Sequence, residues 1–530
     1  MIRVEDGIYN VTACIPEYRI SDRVGVVELN AIVEKRRLGP ATLTVESQRA
    51  GVLTQAKLRV HEVEVTLVLG KRYSPAGKTA EIHAPSAEMN GASISLGENA
   101  SWKLHPRQNE AKSGALRSQV QKSWSTYPAI LEEIVGLDGI VQRKGLRKAQ
   151  AGALHALASH WSVKDGHALV VLPTGTGKTE VLIAASLLLS AERTLVVVPS
   201  DSLRAQTVDK FVKLGVLEEI GVIDDQCLTP VVGLLSKSPK SEQDISALLN
   251  ANVVVTTTQM LLSTENSIIQ KLLEVFDLVA FDEAHHLPAA SWERIRQRIP
   301  SSTKILSLTA TPFRNDGKRI PGELVYQFPL RLAQRYGYFT KINVVKVDQS
   351  DAKIADEAIA RAAVQVLRQD EVEGFDHVIL ARSRSIDHAN SLLDVYQRLA
   401  PEYSPVLLHS GMARRKKEVA IESMKSLVSR VVVCVDMLGE GFDFSALKIA
   451  AMHELHKSLP VTLQFVGRFT RASNVVGSAT VIINTAEPMA DTAVAELFSE
   501  DADWNEIVPE LSASAIDSDA EVKELAQRMT

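Results

Sequence analysis

The residues best suited to chemistry lie in a short loop, residues 172–179, with the sequence LPTGTGKT. An apolar run enters this loop, and a helical pattern (EVLIAASLLL) follows it. A strand, a loop with two glycines and a helix opening on Lys-Thr form the layout of a phosphate-binding loop. Lys178 can reach the β- and γ-phosphates of a nucleotide, and the Thr179 hydroxyl can ligate Mg²⁺. The strict pattern has glycine where Leu172 stands. The candidate contacts are Pro173, Thr174, Gly175, Thr176, Gly177, Lys178 and Thr179.

A second candidate group is a pair of carboxylates that ends an apolar run, FDLVAFDEAHH, at residues 276–286. Enzymes with a phosphate-binding loop need an acid at the end of a neighbouring strand to hold Mg²⁺. They also need a group that orients and deprotonates the attacking water. Asp282 fits the first role and Glu283 the second. The two segments together predict hydrolysis of a nucleoside triphosphate.

Cations from a second part of the chain complete this prediction. Charge that builds on a transferring γ-phosphate is stabilised best from more than one direction. Arg468 and Arg471 follow an apolar segment far from the loop. We expect them to act as arginine fingers from a second α/β unit, which would place the nucleotide between two domains.

Ten segments in order resemble the motifs of superfamily 2 helicases and translocases. The resemblance is to the DEAH-like members of DNA repair and of restriction-type motors, such as the type III restriction enzyme motor subunit. It spans residues 146–471, about 60% of the chain. The segments are LRKAQ (146–150), PTGTGKT (173–179), VVVPSDSLRAQ (196–206), VVVTTTQML (253–261), DEAH (282–285), SLTATPFR (307–314), HVILARSRS (377–385), LLHSGM (407–412), MLGEGFDF (437–444) and QFVGRFTR (464–471).

The resemblance implies two RecA-like domains, ATP and Mg²⁺ as ligands, and several further roles. Gln150 would contact adenine, and Gly441 and Asp443 would contact the nucleotide. The residues that would couple the ATP site to the nucleic-acid face are His285, Thr309, Thr311 and Gln464.

Strand and helix patterns divide the chain into four parts. Residues 1–122 show period-two apolar runs, which predict a small β-rich accessory domain. In residues 123–335 and 336–486 strands alternate with helices, which predicts two parallel sheets covered on both faces. Residues 487–530 form an acidic, helical tail with twelve acids against Lys523 and Arg528. The N-terminal part is open to two interpretations: recognition of nucleic acid or a partner, or packing against the motor. We expect the motor to fold without it.

Composition is that of a globular protein, with 45% hydrophobic and 23% charged residues over 530 positions. There is no apolar run of about 18 residues and no signal-peptide pattern at the start, so we predict a cytoplasmic protein with no membrane partner. Cys14, Cys227 and Cys434 are few and far apart, which predicts reduced thiols without a zinc site.

The net charge of −5 does not by itself favour nucleic acid, because local basic patches decide such binding. Arg382 and Arg384 are candidate phosphate contacts, and the RRKK run at 414–417 is either a contact or a solvated helix start. The motifs favour DNA over RNA as the polymer. The alternatives are an RNA helicase and an ATP-gated scaffold within a larger complex, with a protein partner at the N-terminal domain or the acidic tail.

Overall fold

A computed structural model gives the fold of most of the chain. It describes residues 7–45, 55–60, 63–70, 72, 75, 80–90, 93–97, 99–110, 114–127, 130–136, 141–173, 175–310, 312, 319–336, 338, 342–435, 444, 446–453, 477–484 and 486.

The strands and helices are numbered in chain order. The strands are β1 (Gly7–Ile15), β2 (Tyr18–Val24), β3 (Val27–Glu34), β4 (Arg37–Val45), β5 (Gln55–Val60), β6 (Val63–Leu69), β7 (Glu81–Ala84), β8 (Ala87–Asn90), β9 (Ser93–Leu96), β10 (Ser101–Leu104), β11 (Ile134–Val135), β12 (Val141–Arg143), β13 (His167–Val171), β14 (Thr194–Val198), β15 (Val232–Leu235), β16 (Val253–Thr257), β17 (Leu278–Phe281), β18 (Lys304–Thr309), β19 (Glu323–Gln327), β20 (Ile342–Val347), β21 (Val378–Arg382), β22 (Val406–His409), β23 (Val431–Val435), β24 (Leu447–Met452) and β25 (Ala479–Asn484). The helices are α1 (Ala115–Trp124), α2 (Lys148–Val163), α3 (Lys178–Leu188), α4 (Asp201–Val212), α5 (Glu242–Leu248), α6 (Thr258–Ser263), α7 (Asn266–Leu273), α8 (Ala289–Arg296), α9 (Leu330–Arg335), α10 (Ala352–Val372), α11 (Ile386–Leu399) and α12 (Arg414–Lys425). Within the described ranges, no helix is both long and apolar enough to cross a membrane.

The first α/β unit is built on a sheet with the described strand order β19-β13-β18-β17-β14-β16-β15-β3-β2. From β19 to β15 the neighbouring strands are parallel. The residues of β14, β16 and β17 are buried along their whole length, as expected of a parallel sheet covered on both faces.

Three neighbouring strands of this sheet end side by side. β13 ends at Val171, β18 at Thr309 and β17 at Phe281. Because the strands are parallel, their carboxyl ends lie on one edge of the sheet. Open α/β sheets bind ligands at this edge. Lys178 follows β13, Asp282 and Glu283 follow β17, and Thr309 ends β18.

The second α/β unit has the described strand order β20-β25-β24-β21-β23-β22, and every pair in it is parallel. Two apolar clusters belong to this unit, one containing Ile379 and Tyr396 and the other Leu380 and Met424. Ile379 and Leu380 are successive residues of β21, so their side chains point to opposite faces of the sheet. The predicted alternation of strands and helices in two units is confirmed.

The N-terminal strands are divided between two sheets. Among the described residues, β1 and β4–β10 form a sheet in the order β10-β7-β6-β5-β4-β1-β9-β8, with its own apolar core. The β2–β3 hairpin instead extends the sheet of the first α/β unit, because β3 pairs antiparallel with β15. Leu29 of β3 lies opposite Gly233.

Ion pairs also join the hairpin to helix α4 and to the loop after it. Arg19 forms an ion pair of 3.1 Å with Asp209, and Lys35 one of 2.7 Å with Glu218. Ile20, Val27 and Leu29 of the hairpin belong to the same apolar core as the parallel strands. The sheet of the first α/β unit thus contains residues that precede position 122, which argues against the prediction that this unit folds without them. The bounds 1–122, 123–335, 336–486 and 487–530 stay predictions, and the last range lies outside the described residues.

Two leucine variants test this division. Leu29 and Leu43 are both fully buried, the first in the core of the first α/β unit and the second in the core of the N-terminal sheet. Leu29→Ala is expected to lower the free energy of unfolding of the first α/β unit by about 2–5 kcal/mol, because it leaves a cavity there. Leu43→Ala should leave the first α/β unit unaffected. Hydrogen exchange of β15 and β16 amides measures the difference, and equal effects of the two variants would contradict the division.

Candidate active site

The phosphate loop follows β13 and is tied to its neighbour β18. The Leu172 N–H donates to the Thr309 carbonyl at 2.9 Å. Inside the loop, the Thr176 hydroxyl donates to the Pro173 carbonyl at 2.7 Å. Gly175 and Gly177 have φ of 91° and 92°, a region that suits residues without a Cβ. Helix α3 begins directly after Gly177, so its free N–H groups face the loop.

Lys178, the first residue of α3, is buried, with 8% of its surface exposed. Its ammonium forms an ion pair of 3.0 Å with Glu283 Oε1, but no aligned hydrogen bond occupies its N–H donors among the described residues. A buried ammonium with unused donors is costly unless another acceptor joins it. Phosphate oxygens are acceptors of this kind.

The two predicted carboxylates follow β17. Asp282 is 6% exposed, and its Oδ1 accepts the Glu283 N–H at 3.0 Å. Glu283 has φ 49° and ψ 50°, the left-handed region that non-glycine residues seldom adopt. Such strained residues cluster at functional sites. With this backbone conformation, the Glu283 carboxylate lies beside the Lys178 ammonium.

The predicted coupling residues His285 and Thr309 also meet. His285 Nδ1 and Thr309 Oγ1 are joined by a hydrogen bond of 3.1 Å, and His285 Nδ1 lies 3.7 Å from Glu283 Oε2. The segment after β17 is therefore in contact with the last residue of β18, beside the phosphate loop. Their role in coupling stays a prediction.

Gln150 lies against the phosphate loop. A Cβ added at Gly177 would lie 2.0 Å from Gln150 Nε2, so this glycine permits the close approach. Gln150 Oε1 accepts the Arg147 N–H at 2.9 Å, which caps the start of α2. The side chain is buried and anchored from its own helix. Its contact with adenine stays a prediction.

The two residues predicted to hold Mg²⁺ have oxygen donors of the kind that this ion prefers. Thr179 supplies a hydroxyl and Asp282 a carboxylate, the hard donors that Mg²⁺ prefers. No cluster of three or more His, Cys, Asp or Glu residues suited to a metal occurs in the part of the chain that the structure describes. Mg²⁺ commonly retains several waters and needs few protein ligands. Its binding by Thr179 and Asp282 stays a prediction.

The sequence did not reveal Lys210. This residue of α4 donates from its ammonium to Thr179 Oγ1 at 3.3 Å, which places a second cation beside the loop. Lys210 is 31 positions from Thr179, on a helix whose charged residues look like an ordinary solvated face. Only the packing of α4 beside α3 brings the two together.

The candidate phosphate contacts of the second unit are placed differently. Arg382 is 6% exposed, so its side chain is not a surface contact, whereas Arg384 is exposed. The basic run begins α12, with Arg415 and Lys416 exposed and Lys417 donating to the Ser410 carbonyl at 2.6 Å. The remaining site predictions fall on residues outside those the structure describes: Thr174, Thr311, Gly441, Asp443, Gln464, Arg468 and Arg471.

Two family models match the chain. The model described as "Type III restriction enzyme, res subunit" matches residues 143–314, and that described as "Helicase conserved C-terminal domain" matches residues 361–473. The chain belongs to the superfamily 2 helicases. Within them it is related to the restriction-type and XPB-like enzymes. The two helicase domains and the two α/β sheets fit the predicted tandem RecA-like fold.

Relatives of this superfamily 2 helicase include proteins named for different polymers. Helicase 22 of Sulfolobus islandicus filamentous virus is 22% identical, over 62% of this chain and 62% of the relative. The DNA 3'-5' translocase XPB2 of Sulfurisphaera tokodaii is 30% identical, over 34% of this chain and 35% of the relative. The ATP-dependent RNA helicase DRS1 of Eremothecium gossypii is 22% identical, over 58% of this chain and 42% of the relative. The chain thus spans less than two thirds of each of these relatives.

The solved structures that are similar to this chain include a type ISP restriction-modification enzyme, LlaBIII, bound to DNA. It has 17% sequence identity and a TM-score of 0.48, over 69% of this chain and 30% of the enzyme.

Proposed function

We propose that this helicase is an ATP-dependent motor on DNA, which couples ATP hydrolysis between its two α/β units to movement along the polymer. The observation that carries the proposal is the buried Lys178 ammonium, which has unused donors and faces Glu283 at 3.0 Å. A lysine at the start of a helix and a carboxylate after a strand two places along the same sheet are suited to γ-phosphate transfer to water.

Because Lys178 and Glu283 form an ion pair, ATP binding at Lys178 would change the environment of the Glu283 carboxylate. Phosphate oxygens that approach Lys178 compete with the Glu283 carboxylate for its ammonium. Glu283 is then released to accept a proton from the attacking water, which is the role predicted for it. In this proposal the pair ties Glu283 Oε1 to Lys178 until a nucleotide arrives.

The other components of hydrolysis come from separate segments. Thr179 and Asp282 would hold Mg²⁺, which neutralises charge on the β- and γ-phosphates when it is bound. Arg468 and Arg471, on the second unit, would stabilise the same charge from the opposite side. Because the cations come from two units, the site would be complete only when the units close over ATP, and hydrolysis would reopen it.

The choice of DNA rests on the motifs MLGEGFDF and SLTATPFR, which are most similar to DNA-directed members of the superfamily. The chain offers local basic residues such as Arg384, Arg415 and Lys416, and only 5% of its residues are aromatic. Little surface is therefore available for stacking bases, and contacts to backbone phosphate should dominate.

Binding of the full chain to fluorescent polymers tests this proposal. With about six phosphate contacts, affinity for DNA should fall by about 10³-fold between roughly 50 and 200 mM salt. It should vary little with base sequence and should exceed the affinity for duplex RNA. The variant Arg415→Ala/Lys416→Ala should reduce both the affinity and its salt dependence. Arg398→Ala, which removes an exposed arginine of α11, serves as the control.

Three results would contradict the proposal in different ways. Tighter binding to duplex RNA would favour the RNA helicase. Binding that does not change with salt, or that depends strongly on base sequence, would exclude recognition of backbone phosphate. Binding with no stimulation of ATP hydrolysis would favour the ATP-gated scaffold.

A further inference from the structure

Four aromatic residues near the end of the first α/β unit form a cluster that lies outside every motif of the sequence. Tyr326 and Phe328 are 6.5 Å apart between ring centroids, and Tyr336 and Tyr338 are 5.9 Å apart. Phe328 joins the two pairs, at 6.4 Å from Tyr336 and 6.2 Å from Tyr338. We call these four residues the aromatic cluster.

One side of the aromatic cluster holds the start of helix α2. The Tyr338 hydroxyl accepts the Lys148 backbone N–H at 3.0 Å, one of the amides that a helix start leaves without a partner. The Arg147 guanidinium lies 5.2 Å from the centroid of the Tyr338 ring. The Lys148 ammonium lies 4.5 Å from the centroid of the Tyr336 ring. Both contacts have cation–π geometry.

The other side of the aromatic cluster is joined to β13, the strand that leads into the phosphate loop. Tyr326 of β19 lies opposite Val170, and the Phe328 N–H donates to the Val171 carbonyl at 3.0 Å. Tyr326 also packs on α2, since a Cβ at Gly152 would lie 2.3 Å from its hydroxyl oxygen. The cluster therefore connects the strand before Lys178 to the helix that contains Gln150.

We propose that Tyr338 is a positioning residue that fixes Gln150 relative to the phosphate loop and so makes the site select adenine over guanine. This inference rests on the proposed function and on the contact between Gln150 and adenine that the sequence resemblance predicts. A glutamine amide can pair with both the exocyclic amine and N7 of adenine, whereas guanine presents only acceptors on that edge. The oxygen of Gln150 that caps α2 has a second lone pair for the amine.

Selection of adenine by the Gln150 side-chain amide depends on the position of the first turn of α2, which contains Gln150. Without Tyr338, the Lys148 amide loses its acceptor and Arg147 loses the ring beside it. The first turn of α2 can then shift against β13, and the Gln150 amide no longer meets the base at a fixed place. Loss of a hydrogen-bonding contact to a nucleobase should weaken adenine binding and leave guanine binding unchanged, because guanine does not make that contact.

Calorimetric titration of the full chain with ADP and with GDP tests the proposal. The wild type is expected to bind ADP more tightly than GDP. Tyr338→Ala should weaken ADP binding about tenfold, as expected for a lost hydrogen bond, with GDP binding unchanged. Tyr338→Phe keeps the ring beside Arg147 but removes the hydroxyl that accepts the Lys148 N–H. Its ADP affinity should therefore lie between that of the wild type and that of Tyr338→Ala.

A tyrosine of the second α/β unit provides the matched control. Tyr403 has Arg430 at 5.3 Å from its ring centroid and donates its hydroxyl to Glu371 at 2.6 Å. Tyr403→Phe removes a comparable hydrogen bond within the second α/β unit and should change neither affinity. If Tyr338→Ala does not fold, the comparison of Tyr338→Phe with Tyr403→Phe decides the question by the same ratio of ADP to GDP affinity.

Each contrary result has a distinct meaning. Equal loss of ADP and GDP binding in the Tyr338 variants, or an unchanged ratio, would overturn base selection through Tyr338. Equal binding of ADP and GDP by the wild type would overturn it too, while the proposed motor would stand. Wild-type protein that binds neither nucleotide would overturn the proposed function itself.

Discussion

Glu283→Gln is expected to lower ATP turnover by about 10²- to 10⁴-fold, the usual contribution of a general base. Glutamine keeps the size of the side chain and its hydrogen-bonding oxygen, but it cannot take a proton from water. The change also removes the negative charge 3.0 Å from the Lys178 ammonium, so phosphate no longer competes with a carboxylate for it. ATP affinity should therefore be kept or increase. Steady-state hydrolysis and calorimetric binding measure the two effects.

Two further variants serve as comparisons for Glu283→Gln. Lys178→Ala should lose both turnover and tight ATP binding, because it removes a charge-assisted contact to phosphate. Glu293→Gln changes an exposed glutamate of α8, paired with Arg296, and should leave both quantities unchanged. If Glu283→Gln hydrolyses ATP at close to the wild-type rate, Glu283 is not the base.

Arg471→Ala is expected to lower turnover by about 10³-fold or more, with only a modest change in ATP affinity, as for other arginine fingers. The reason is that the finger stabilises charge that appears only as the γ-phosphate is transferred. Arg471→Lys should rescue little, because a point charge lacks the planar fork of a guanidinium. Single-turnover hydrolysis at saturating ATP measures the loss.

Arg468→Ala should show a loss of the same kind, and Arg398→Ala, on the exposed face of α11, should show none. A strong effect on ATP affinity with unchanged turnover would make Arg471 a binding residue instead. Wild-type turnover in both Arg468→Ala and Arg471→Ala would remove the two-domain site from consideration.

The proximity of the residues at the carboxyl ends of the parallel strands could be predicted from the sequence, because the pattern of apolar strands is enough to place them. Lys178 and Glu283 each follow an apolar strand, and carboxyl ends of parallel strands meet on one edge. Their proximity therefore followed from pattern alone. The hydrogen bond between His285 and Thr309 was not predicted. The resemblance grouped both residues as coupling residues, but nothing in the two isolated segments indicates that they touch.

Features set by distant contacts could not be predicted. The hairpin strand β3 pairs with β15 about 200 positions away, and its alternating pattern suits either of two sheets. The left-handed backbone of Glu283 depends on the turn after β17, where no glycine marks the conformation. The Tyr338 contact with Lys148 joins segments that share no motif. In each case tertiary packing, rather than local propensity, decides the geometry.

The most direct test is the ATPase rate of the full chain alone and with single-stranded DNA, duplex DNA or duplex RNA. A nucleic-acid motor hydrolyses ATP faster when its polymer stabilises the closed arrangement of the two units. We expect DNA to stimulate hydrolysis more than duplex RNA does, and Lys178→Ala to abolish the rate under every condition. A rate that no polymer changes, or one that survives in Lys178→Ala, would contradict the account.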